Sequence, residues 1–168
     1  MISAEEDKWH RNNDARASAV KATIAHVGRV KDLMKMAAGV LAVRGHEHDR
    51  SKFEDVEMGP LTEMQALIDR EGQAPFGSDE YKRRTALLGP MLKHHYANNS
   101  HHPEHYPNGI DDMCLFDVVE MFFDWKAASE RGEEPSMNIG KACERFRVSP
   151  QLERIFRNTA ARLKYKAD

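Results

Sequence analysis

Cysteine is scarce in this chain of 168 residues: Cys114 and Cys143 have no CxxC spacing and no third partner. That argues against a disulfide framework and against a cysteine-built structural zinc site. Long hydrophobic runs are missing too, since no stretch approaches the ~20 apolar residues that span a bilayer. Glu5, Glu6 and Asp7 stand where a secretory leader would carry a basic patch and then an apolar run. The expected location is therefore the cytoplasm. Charge of one sign is also lacking. The formal net charge is −2 with histidine neutral, so neither a duplex-binding surface nor a membrane-binding one is expected.

Alternating strand patterns are absent, and helical spacing dominates. Val20, Ile24, Val27, Val30, Leu33, Met34 and Leu41 recur at three- and four-residue steps, which predicts one long helix from about Ala15 to Val43 with a weak point at Gly39. A short helical piece should run from Gly45 through Asp49 and Phe53 to Met58, and Gly59-Pro60 should stop it. Leu61–Ile68 is the next helix. Ser78 and Asp79 cap one from Glu80 to about Asn98, with Pro90 as a kink. The segment Asn98–Gly109 is too rich in breakers to be regular. The most hydrophobic helix follows, over Asp111–Glu130. Gly132–Pro135 reads as a surface turn, a short helix covers Asn138–Phe146, and Ser149-Pro150 opens the last helix to about Lys164. The expectation is an all-α fold forming a single domain over residues 1–168.

What is plentiful is histidine. Seven of the nine lie in two short stretches, 46–48 and 94–105. Histidine is a mediocre helix former and a mediocre core residue, so such clustering asks for a chemical reason. His48 and Asp49 are adjacent; on a regular helix their side chains would diverge by about 100°, so both can serve one site only where the helix is distorted or two metals share them. Five histidines, His94, His95, His101, His102 and His105, fall within twelve residues, partly on the irregular segment. His26 sits on the long first helix. In the hydrophobic helix, Asp117, Glu120 and Asp124 stand at i, i+3 and i+7, three carboxylates on one stripe amid Leu115, Phe116, Val118, Met121, Phe122 and Trp125. Acids in so apolar a helix are penalised by desolvation unless a cation or a donor meets them. Histidine and carboxylate without cysteine suit a catalytic divalent ion, one or two of manganese, iron, cobalt, magnesium or zinc.

A helical His, then His-Asp, then further histidines, then a late helical Asp is an order that resembles the HD superfamily of metal-dependent phosphohydrolases. His48-Asp49-x-Ser51-Lys52 is similar to the HD-x-G-K string of its two-metal branch, with Ser51 in place of glycine. His101-His102-Pro103-Glu104 is similar to the histidine-rich string of HD-GYP phosphodiesterases, although the histidines lie closer together here and no GYP follows. From His26 to Trp125 the chain also resembles an uncharacterised family common in bacteriophage genomes, with strings similar to HDxSKF, HHPEH and EMxxDW. The resemblance implies an HD-like helical bundle and hydrolysis of a small nucleotide, a mono- or triphosphate, by a metal-activated water. It implies His26, His48, Asp49 and Asp124 as metal ligands, with Asp117 as the rival of Asp124. His95 and His101 are added for a second metal, with His94 and His102 as their competitors. Lys52, helped by Arg50, would meet the substrate phosphate, and Glu120 would orient water, in competition with Glu54 and Glu57. A di-iron oxygenase of HD type, a cyclic-nucleotide phosphodiesterase and a non-catalytic nucleotide-binding module stay open, as does a homo-oligomer.

Overall fold

The computed structural model describes residues 4–75, 77–131 and 136–168. Among them are seven α-helices and no β-strand: α1 (Ala4–Glu47), α2 (Asp55–Glu71), α3 (Asp79–Leu87), α4 (Gly89–Asn98), α5 (Leu115–Ser129), α6 (Ile139–Phe146) and α7 (Pro150–Arg162). The fold is all-α, as the periodicity predicts. The turn expected at Gly132–Pro135 lies outside the described residues.

The chain divides into two compact units, residues 1–43 and 44–168. The first unit is α1 up to Val43. Its apolar residues are exposed, among them Ile24 (67%), Met34 (68%) and Val43 (64%). Gly39 does not interrupt it.

The second unit carries the core. Met121 and Phe122 of α5, Ile139 and Cys143 of α6, Phe156 and Ala160 of α7, and Met137 just before α6 are buried together, with Trp125, Leu152 and Tyr165 packed against them. The aromatic rings interlock: Phe122 stacks on Phe156 at 5.6 Å, and Trp125 stacks on Phe146 at 5.8 Å. α7 is opened by Ser149, whose hydroxyl accepts the Leu152 N–H, with Pro150 at the first helical position. The end of the chain is tied to the start of α6 by hydrogen bonds between Met137 and residues 166 and 168.

Three expectations about helix ends are corrected. Gly59-Pro60 does not stop a helix, because α2 runs through it. Pro60 lies in the second turn of α2, so it removes a single backbone bond, to the carbonyl of Val56, and Val56 is exposed. Pro90 does more than kink: it sits in the first turn of α4, and the expected helix becomes α3 and α4, joined at Leu88. α5 starts at Leu115, after a short 3-10 turn over Gly109–Asp112, since Cys114 and Asp117 form a reciprocal cap there.

The turn after α1 positions the chemistry. α1 continues through Gly45 and ends at Glu47, and a 3-10 turn covers Arg50–Phe53. Asp49, between them, has φ of 55° and ψ of 23°, in the left-handed region. That region is costly for most side chains and best tolerated by Asn and Asp. The reversal breaks the helical divergence of neighbouring residues, and His48 Nε2 comes within 3.3 Å of Asp49 Oδ2.

Candidate metal centre

Asp49 is the hub. On one side His48 Nε2 lies 3.3 Å from its Oδ2 and 3.6 Å from Asp124 Oδ1. On the other, His95 Nε2 lies 3.2 Å and His101 Nε2 3.5 Å from its Oδ1. His102 Nε2 faces His95 Nε2 at 2.9 Å. Donor atoms of Asp49, His95, His101 and His102 fall within 4.8 Å of one another, as do those of His48, Asp49 and Asp124. With metal–ligand bonds of about 2.1 Å, opposite ligands of one ion stand ~4.2 Å apart, so small side-chain rotations would close either set on a cation.

Two buried atoms argue that the arrangement is built for one. Asp49 Oδ1 and His101 Nε2 make no hydrogen bond, although both are removed from solvent and face each other. Buried polar atoms are nearly always satisfied, and leaving one bare costs about 1–3 kcal/mol. A divalent ion accepts lone pairs from a carboxylate oxygen and from an imidazole nitrogen together, which fits this donor set.

Behind the ring of donors stand two carboxylates that set the tautomers. Glu120 Oε1 is 2.8 Å from His48 Nδ1 and 3.1 Å from His101 Nδ1. Glu57, fully buried, is 2.7 Å from His94 Nδ1 and 2.9 Å from His95 Nδ1. An ionised carboxylate only accepts, so each Nδ1 carries the proton and donates. For His48, His95 and His101 that leaves Nε2 turned to the centre, the orientation in which metal-binding histidines are usually held.

Arg44, in the last turn of α1, braces this layer. Its Nε donates to Glu120 Oε2 at 2.7 Å and its Nη2 to Asp117 Oδ1 at 2.6 Å. Asp117 also accepts from Ser100 (2.7 Å), Tyr106 (2.8 Å) and the Cys114 N–H (2.9 Å). Asp117 is thereby fully engaged by donors and lies outside the metal-capable groups, whereas Asp124 lies in one. Ser51, where the HD-x-G-K string has glycine, is buried and accepts from Asn99 Nδ2 at 2.7 Å; Asn99 also donates to the His95 carbonyl, tying α4 to the turn after Asp49.

The electrostatics follow the same division. Hydrogen bonds with Asp124, Asp49 and Glu120 raise His48 to about 11, against the effect of burial. Burial works to raise the Asp49 carboxyl, but the neighbouring His48, His95 and Lys52 outweigh it and hold the group well below its ordinary value. Burial likewise works against Glu120, yet His101 and His48 bring it down to about 2. Burial, reinforced by neighbouring His101 and His95, pushes His102 down to about 3 and keeps it neutral, the form a ligand needs. The carboxylates thus attract positive charge at His48, while the far side offers neutral imidazole.

The structure brings together His48, Asp49, His95, His101 and Asp124 from the sequence-based assignment and adds His102, there only a competitor. His94 is held by Glu57 instead. His26, exposed on α1, is in none of the metal-capable groups found among the described residues. Glu120, expected to orient water, has its oxygens against two histidines and Arg44, and with His48 and His101 it forms a third metal-capable group. Arg50 is exposed and pairs with Glu47 at 2.6 Å. Lys52 pairs with Asp49 Oδ2 at 2.5 Å and also lines a cavity of about 450 Å³. The His95, His102 and Asp124 side chains reach the same cavity, whose other walls include Leu61, Met64, Tyr81, Tyr96, Trp125 and Phe146.

Arg44 escaped the sequence reading, having no signal beyond its nearness to His48, and Glu57 entered it only as a rival of Glu120 for orienting water. No helix of the described residues is long and apolar enough to cross a membrane. No curated protein and no solved structure matches the chain. A family match does extend over residues 15–162, which takes in all these side chains, and by it the chain belongs to DUF5662, a family of unknown function.

Proposed function

We propose that the protein is a metal-dependent phosphohydrolase acting on a small nucleotide. The observation that carries this reading is the Asp49 carboxylate, set between His48 and Asp124 on one side and His95, His101 and His102 on the other, with Oδ1 bare and buried. These six residues would hold one or two divalent cations. A cation bound there supplies Lewis acidity toward water and toward a phosphoryl oxygen.

The rest is done by the chain itself. Glu57 and Glu120 keep His95, His48 and His101 with Nε2 toward the centre. Lys52 stands where the donor cluster meets the cavity, so its ammonium can neutralise a phosphate while a phosphoryl group faces Asp49. The cavity volume falls in the ordinary range for small-molecule sites of ~300–1,000 Å³, and Tyr81, Tyr96 and Trp125 offer flat apolar surface for a base. His102, kept neutral, cannot donate positive charge to the ligand and serves as a lone-pair donor.

The test is metal analysis of the purified protein coupled with phosphate release across a panel of nucleoside mono- and triphosphates, with Mn, Fe, Co, Mg and Zn supplied in turn. Metal retention with release from at least one nucleotide is expected, and loss of both in Asp49→Asn. Protein that holds no metal, or that holds metal and releases no phosphate from any nucleotide, overturns the reading; oxygen consumption by an iron-loaded sample would replace hydrolysis with oxidation.

A further inference from the structure

Among the described residues two acids line the cavity beside the donor cluster, Asp124 and Glu104. Asp124 belongs to a metal-capable group and Glu104 to none. An ionised carboxylate only accepts hydrogen bonds, and so do the oxygens of a fully ionised phosphate. Glu104 therefore has nothing to offer the phosphate of a ligand and repels it. Its complement is a part of the ligand that donates.

The local sequence fixes where that carboxylate stands. Glu104 lies in the 3-10 turn Pro103–His105, whose first residue, Pro103, is buried. The turn is closed by the His105 N–H on the His102 carbonyl (3.0 Å) and the Tyr106 N–H on the Pro103 carbonyl (3.1 Å). His105 Nδ1 donates to the Tyr96 carbonyl at 2.7 Å and fastens the turn to α4. Two residues separate Glu104 from His102, a reach of at most ~7 Å of chain, and the Tyr96 ring, on the same cavity wall, is 5.1 Å from that of His102. Glu104 is thus at the metal end of the cavity. Arg145, in the last turn of α6, steadies it: the guanidinium sits 4.8 Å over the Phe146 ring, and Nη2 donates to Glu104 Oε1 at 3.0 Å. Glu104 Oε2 has no hydrogen-bond partner among the described residues, and the side chain is 30% exposed.

We propose that Glu104 accepts hydrogen bonds from the 2′- and 3′-hydroxyls of a ribose, which makes the substrate class ribonucleotides in preference to 2′-deoxyribonucleotides. The assignment rests on the nucleotide phosphohydrolase reading of the site. In a nucleotide the sugar is joined directly to the phosphate and the base lies beyond it. A phosphoryl group at the donor cluster, with Lys52 beside it, therefore brings the sugar hydroxyls before the base edge to a carboxylate this close to His102. Acidic side chains meet ribose hydroxyls in this way in dinucleotide sites. A site built to bond a hydroxyl rejects the analogue that lacks it, because its own polar group is left unpaired; the partial exposure of Glu104 lets water take that place and holds the discrimination to roughly 10- to 100-fold.

The experiment uses the full chain loaded with manganese. Adenosine, guanosine, cytidine and uridine 5′-mono- and triphosphates are compared with their 2′-deoxy counterparts, by phosphate release and by equilibrium dialysis. Each ribonucleotide should be favoured at least ~10-fold in kcat/KM and in affinity, and Glu104→Ala should bring both ratios close to one. Glu104→Gln, with an acceptor oxygen in the same place, should fall between. A lesion of the fold lowers both members of a pair together and leaves their ratio alone, so the ratio reads recognition of the sugar. A wild-type ratio near one, a ratio unchanged in Glu104→Ala, or loss of a preference among bases with the sugar preference intact overturns the proposal. Equal hydrolysis of both sugars would retire it and leave the hydrolase reading standing. Glu104-dependent preference in binding, without phosphate release from any nucleotide, would do the reverse, and protein that binds no nucleotide removes both.

Discussion

Helices α1 and α5 are both rich in apolar residues, and they spend them in opposite ways. Between Val20 and Val43, α1 leaves its large side chains exposed. In α5, Met121 and Phe122 are buried in a core, and Asp117 and Glu120 face inward although they are charged. The difference teaches what each pattern is worth. An apolar stripe states that a face will be covered and is silent on the cover. A carboxylate held among apolar neighbours is more specific, because ionised oxygens need donors or cations. In α5 that demand is met by Arg44, His48, His101, Ser100 and Tyr106, and at Asp124 it opens onto the donor cluster.

The sharpest way to break the comparison is at the hub. Asp49→Asn should reduce bound metal to background and abolish turnover with the helical signal retained. Metal analysis and far-ultraviolet circular dichroism read this directly, and more than about a tenth of wild-type activity, a loss under ~1.4 kcal/mol, would remove Asp49 from the chemistry. Next comes Lys52→Ala, expected to keep metal while losing activity by roughly 10²-fold, the scale of one preorganised charge contact. Wild-type behaviour would count against a phosphate substrate.

The two acids of α5 separate at the following level. Asp124→Asn should strip metal, whereas Asp117→Asn should weaken metal affinity by about 10- to 100-fold, as outer partners do. The opposite order in a metal titration would exchange their roles. Arg44→Met should act through Glu120 and Asp117, with a similar fall in affinity and a lower denaturation midpoint, since removing one partner of a largely buried ion pair costs about 3 kcal/mol. Restoration of affinity by Arg44→Lys would show that charge, and not the guanidinium fork, is what Glu120 requires.

The smallest effect expected is on pH dependence without metal. The raised His48 group contributes stability that is fully present below its ordinary value of 6.5 and is lost as pH climbs toward about 11. Metal-free protein should therefore lose thermal stability between pH 7 and 10, and His48→Asn should flatten that slope. An unchanged slope would mean that His48 does not hold its proton among the three carboxylates.

Much of this protein was legible in its residues. The helical class, the caps at Ser78 and Ser149, and the pairing of histidine clusters with α5 acids follow from local rules, because periodicity, capping and desolvation act over a few residues. The stop at Gly59-Pro60 did not hold, since one proline early in a helix costs a single backbone bond. His26 rests on the order of residues in a resembling family alone, and order along a chain carries no distance. Arg44 was silent, because an arginine declares its partners only when the elements bearing them meet. Sequence alone determined that His48, Asp49 and the histidines near residue 100 need a common chemical reason. Only the tertiary structure decided that Asp49 turns left-handed to share a site with His48, that Asp124 rather than Asp117 lies at the centre, and that Glu57 and Glu120 stand behind it. The physical reason is that the direction of a side chain and the atoms that satisfy it depend on neighbours distant in the chain.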